Sequence, residues 1–167
     1  MIPTSITRRL AQGLCLAALG ISLAGAAQAA GCADARERES LTVRSLQTDL
    51  MVAALSCNIR DDYNTFVQRY RPHLSVHGHA LRRYFQRAYG PRAQRALDRY
   101  VTELANQASQ VSNADRAGFC AQTAASLDRL LAAADREGAH VLAALAAGGS
   151  GAAFRDPAPA CDALTKR

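Results

Sequence analysis

Along most of this chain apolar residues recur at intervals of three and four, the spacing of helices that bury one face. Val43, Leu46, Leu50, Ala53 and Cys57 form the first such stripe. Asp34 stands where it can cap that helix, with Glu37 and Glu39 near its positive end. Residues 58–62 break the pattern, and Asp61 or Asp62 is placed to cap a second helix whose face is Tyr63, Phe66, Val67 and Tyr70. Pro72 suits a first helical turn better than an interior, so a kink or restart is expected there. Leu81, Tyr84, Phe85 and Ala88 carry the core face on to Gly90-Pro91, a stop-and-start signal.

Leu97, Tyr100, Val101, Leu104, Ala108 and Val111 mark the next helix, and Asn113 is a candidate cap for one over 114–134. In that helix Cys120, Ala124, Leu127 and Leu131 repeat the inward spacing. Gly138 weakens a last short helix reaching 147. Gly148-Gly149-Ser150-Gly151 and Pro157-Ala158-Pro159 then read as a flexible tail, 148–167, tied near Cys161. The expected fold is an all-α bundle of five to six helices over residues 30–147.

Composition agrees with that class. The chain has 167 residues, 49% hydrophobic, 20% charged and 5% aromatic, enough for one compact domain. Its Ala, Leu, Arg and Gln richness with few β-branched residues argues against an all-β fold.

Residues 1–29 read as an export signal. Arg8 and Arg9 precede an apolar stretch diluted by Gly13 and Gly20, and Ala27-Gln28-Ala29 offers a small-x-small cleavage site. The stretch is short for a membrane anchor. Ala29-Ala30-Gly31-Cys32 offers an alternative, a lipoprotein box in which Cys32 is acylated. Nineteen Arg against one Lys suits a high-GC bacterium, so the periplasm is the expected destination.

Cleavage removes Cys15 and leaves Cys32, Cys57, Cys120 and Cys161, an even set that implies disulfides in an exported chain. Cys57 and Cys120 lie on inward stripes and Cys32 and Cys161 near the two mature ends, which favours the pairs Cys57–Cys120 and Cys32–Cys161. The first closes a loop worth about 4 kcal/mol in the chain-entropy treatment. The spacings match no zinc site, C-x-x-C redox pair or haem motif.

The charge is uneven. Residues 60–99 carry nine Arg against three Asp, a local +6 in a mature chain of net +4. Arg82, Arg83, Arg87, Arg92, Arg95 and Arg99, interleaved with Tyr84, Tyr89 and Tyr100, form a candidate surface for an anion or an acidic partner. Export disfavours nucleic acid and leaves an acidic protein or an anionic envelope component. The plain alternative is a solvated arginine face.

His73-Leu74-Ser75-Val76-His77-Gly78-His79 is the densest polar constellation. His73 and His77 share a helix face at the spacing that lets two imidazoles hold one metal ion, though no carboxylate follows to complete a site. The three imidazoles are also candidate proton sensors, taking this stretch from +6 to +9 in acid. Glu103 is the only Glu in a helix centre and the candidate acid of an envelope glycan- or lipid-acting enzyme. No G-x-S-x-G elbow, P-loop or dinucleotide fingerprint occurs, so no cofactor and no catalytic residue is assigned.

The run from Leu46 to Cys57 (LQTDLMVAALSC), followed by Tyr63-Asn64-x-Phe66, and later Leu104-Ala105-Asn106-Gln107-Ala108-Ser109 and Phe119-Cys120, resembles small exported helical proteins of alphaproteobacteria. The likeness covers about residues 41–130. It implies an exported location and a helical fold and carries no activity. Together these readings lead to the expectation of a non-catalytic periplasmic or envelope interaction protein, a chaperone- or inhibitor-like adaptor.

Overall fold

The computed structural model describes residues 31–133, 136–148 and 161. The expected export signal lies outside the described residues, as does the tail except for Gly148 and Cys161. Among the described residues six α-helices follow one another: α1 (Ala35–Ser56), α2 (Arg60–Arg69), α3 (Arg71–Tyr89), α4 (Ala93–Ala114), α5 (Arg116–Ala132) and α6 (Gly138–Ala147). A short 3₁₀ turn, Gly90–Arg92, joins α3 to α4. The all-α, disulfide-stapled bundle read from the sequence is the fold.

Helix α1 begins in a capping box. The Asp34 carboxylate accepts from the Glu37 amide at 2.8 Å, and the Glu37 carboxylate accepts from the Asp34 amide at 2.9 Å. Asn58, at φ 63°, turns the chain after this helix. Neither Asp61 nor Asp62 caps α2. The helix starts at Arg60 without a side-chain cap, and both aspartates sit in its first turn beside the positive end.

Pro72 occupies the first turn of α3, and Gly90, at φ 54°, ends that helix. The cap of α5 is Asp115 rather than Asn113, because α4 runs on to Ala114. Asp115 accepts from the Gly118 amide at 2.9 Å. A Cβ at 118 would lie 2.2 Å from Asp115 Oδ2, so any larger residue there must displace the capping carboxylate.

Helix α1 is the axle of the bundle and packs against all five others. Its inward stripe Val43, Leu46 and Leu50 meets Phe66, Tyr70, Leu127, Leu130 and Leu142 from α2, α5 and α6 and their junctions. Leu41 meets Leu81, Tyr84, Phe85, Tyr100 and Leu104 from α3 and α4. Near its C-terminal end Val52 and Ala53 pack with Ala108 and Phe119. Ser40, Ser45, Thr48 and Asp49 are buried as well, so α1 is enclosed on more sides than its apolar stripe suggests.

Both expected disulfides are present. Cys57 and Cys120 join the end of α1 to α5, and Cys32 and Cys161 join the residues before α1 to those beyond α6. The Cys161 amide also donates to the Ala33 carbonyl at 3.2 Å. Among the described residues no helix is long and apolar enough to cross a membrane.

Candidate functional site

Two neighbouring features on the α1–α3–α4 side gather the polar chemistry. The first is a cleft of about 190 Å³ between these three helices. Val43, Leu81, Leu97 and Val101 form its apolar walls, and Ser40, Arg44, Gln47, His77, Arg82 and Asp98 its polar margin. A second recess beside it shares Arg44, Gln47, Leu74, Gly78 and Arg82 and extends the groove towards Arg71.

His77 is half-buried in the wall of this cleft. Its Nδ1 lies 3.2 Å from Ser40 Oγ, while the Ser40 hydroxyl donates to the Arg36 carbonyl at 2.9 Å. With that hydroxyl proton committed, His77 Nδ1–H is the donor to Ser40, and Nε2 carries the lone pair. Burial lowers the His77 pKa from its ordinary value; Glu39 opposes the shift and His73 adds to it. His77 is therefore neutral at pH 7, and the permanent positive charges of the cleft are guanidiniums.

Arg44 Nη1 donates to Gln47 Oε1 at 3.1 Å, and Arg82 Nη2 contacts His79 Nδ1 at 3.1 Å. Asp98 accepts from the Gln94 amide at 2.7 Å. On the α2 side of the same residues, burial pushes the Tyr63 phenol pKa up against the opposing influence of Gln47 and Arg44.

The second feature is an open hollow of about 260 Å³ framed by Tyr89, Arg92, Arg95, Ala96 and Arg99. Tyr89 stacks on Phe85 with ring centroids 5.4 Å apart, which fixes the floor to the core. The three arginines are exposed, and among the described residues none of them makes an ion pair or a hydrogen bond.

The six candidate arginines are thus divided. Arg92, Arg95 and Arg99 share the hollow and Arg82 belongs to the cleft. Arg83 borders a separate recess between α1 and α3. Arg87 is engaged in the fold: it pairs with Glu37 at 2.5 Å, donates to the Cys32 carbonyl at 3.0 Å and lies over the Tyr84 ring.

The histidines differ in their surroundings. His73 sits beside Tyr70, with ring centroids 6.0 Å apart, and His79 is exposed. Among the described residues no group of three His, Cys, Asp or Glu side chains is arranged to hold a metal ion around His73 and His77. Glu103 is exposed on α4.

Sequence reasoning did not single out Ser40, Arg44, Gln47 or Asp98. A signal was available for the first three, because their spacing of four and three places them along one edge of the inward stripe of α1. No family model, curated protein or solved structure matches this chain.

Proposed function

We propose that this protein is an exported, non-catalytic interaction protein of the periplasm or cell envelope, a chaperone- or inhibitor-like adaptor that meets an acidic partner. The observation that carries this reading is the Arg92–Arg95–Arg99 hollow, three guanidiniums without a partner among the described residues around a tyrosine stacked on the core. Planar guanidiniums grip carboxylates two bonds at a time, and several together favour an acidic segment over a single anion. Two disulfides support an oxidising compartment, where such bonds persist.

The test is crosslinking in living cells from a photoreactive residue placed at Ala96, followed by mass spectrometry. The expected result is a captured acidic protein whose yield collapses in the Arg92→Glu/Arg95→Glu/Arg99→Glu variant and persists in Arg83→Glu. Capture indifferent to the triple charge reversal would overturn the reading.

A further inference from the structure

We propose that the cleft between α1, α3 and α4 is a binding site for a small organic monoanion, a carboxylate on an apolar body about the size of one aromatic ring. This site is separate from the arginine hollow and does not depend on what the hollow binds.

Size sets the body. The cleft holds about 190 Å³, somewhat more than the roughly 150 Å³ of an apolar cavity that admits benzene. Val43, Leu81, Leu97 and Val101 supply apolar walls, and the polar groups gather at the margin, the usual division in small-molecule sites.

Charge sets the head. Among the lining residues Arg44 and Arg82 stand with one carboxylate, Asp98, so with His77 neutral the lining carries one net positive charge. A monoanion balances it, whereas a dianion would bring its second charge against Asp98.

Two further observations point to an occupant. Arg44 Nε is shut off from solvent and has no hydrogen-bond acceptor, an uncommon state for a buried donor. A carboxylate in the cleft meets this guanidinium through the atoms that line it, adding an acceptor to a group whose Nε the fold leaves unmet. The second observation is Gly78, inside α3, where glycine weakens a helix. No close packing requires it: a Cβ at 78 would meet only Arg82 Nη1, at 3.9 Å. The missing side chain leaves open the groove shared by the cleft and its neighbouring recess.

Isothermal titration calorimetry on the oxidised chain tests the assignment with phenylacetate and octanoate, which separate a ring from a short chain as the preferred body. Acetate provides charge without a body, and phenylacetamide a body without charge. At least one of the two amphiphilic carboxylates is expected to bind saturably, with a dissociation constant of roughly 0.1–1 mM. Acetate and phenylacetamide should bind at least about tenfold more weakly.

Gly78→Leu, which fills the groove, and Arg44→Met should each weaken binding at least about tenfold, with melting curves confirming that both variants fold. Gly78→Ala and Arg95→Glu should bind as the parent does. No saturable binding of either carboxylate up to roughly 10 mM would overturn the proposal. So would equal affinity for phenylacetamide, or undiminished binding by folded Gly78→Leu and Arg44→Met.

Discussion

Helix α1 faces two different neighbourhoods. Towards α2, α5 and α6 it is sealed: Leu46, Leu50, Phe66, Leu127 and Leu130 are buried together, and the Tyr70 hydroxyl donates to the Leu130 carbonyl at 2.8 Å. Arg69 adds bonds to the Leu131 and Ala133 carbonyls, covering the end of α5. Towards α3 and α4 there is an equally real core, with Phe85 packed between Tyr84 and Tyr100. There, however, the packing stops at a cleft edged by Arg44, Arg82 and His77. One helix therefore serves as a closed wall on one side and as the floor of a groove on the other. Stability can be concentrated on the first side, which leaves the second free to carry polar groups that a sealed core would exclude.

The comparison can be broken most forcefully at the sulfur bridge. Cys57→Ser/Cys120→Ser opens a link between positions 63 residues apart and should cost about 4 kcal/mol, read as a fall in melting temperature of roughly 10 °C or more. Phe66→Ala on the sealed side should cost about 3 kcal/mol in urea denaturation, whereas Leu97→Ala on the cleft wall should cost about 1 kcal/mol.

Two glycines sharpen the contrast, because the same substitution should have opposite signs. At Gly138 a Cβ would lie 3.3 Å from the buried, hydrogen-bonded Tyr70 ring, so Gly138→Ala should destabilise by about 1–2 kcal/mol. Gly78→Ala has room and should stabilise by up to about 1 kcal/mol. Chemical denaturation of both variants under one set of conditions decides the point.

The smallest expected effect is on pH dependence. The folded-state pKa of His77 lies below its unfolded value of about 6.5. Its contribution to stability is therefore complete above that value and is lost as pH falls through the folded pKa, since the unfolded chain takes up the proton first. His77→Gln should flatten the acid side of the stability curve, checked by denaturation midpoints between pH 7.5 and 4.5.

Much of the framework was legible in the residues. Helical spacing pointed to the Cys57–Cys120 disulfide, although the buried face of α5 runs through Phe119, Thr123, Leu127 and Leu130 and leaves Cys120 at its edge, and Pro72 and Gly90 marked the restarts. The enclosure of α1 was not legible, because Ser40 and Thr48 look polar. Their hydroxyls fold back onto the Arg36 and Arg44 carbonyls of their own helix at 2.9 Å, which satisfies the hydroxyl donor without leaving the helix. The cap of α5 fell on Asp115 rather than Asn113, and at α2 no side chain caps the helix although acidic and amide residues cluster there. The partner of Arg87 was beyond reach of local pattern, since Glu37 lies 50 residues away and meets it only when α1 packs on α3. The cleft was hidden for the same reason: its margin comes from three helices, and no window of sequence contains it.

The Cys32–Cys161 bond makes a covalent ring of nearly everything described, its two cysteines standing 129 residues apart in sequence. A pull applied through chain outside those two cysteines would run across the sulfur–sulfur bond and bypass the six helices. Held from both ends, the oxidised molecule should act as a short inextensible link, and it should lengthen only after a reductant cuts the ring.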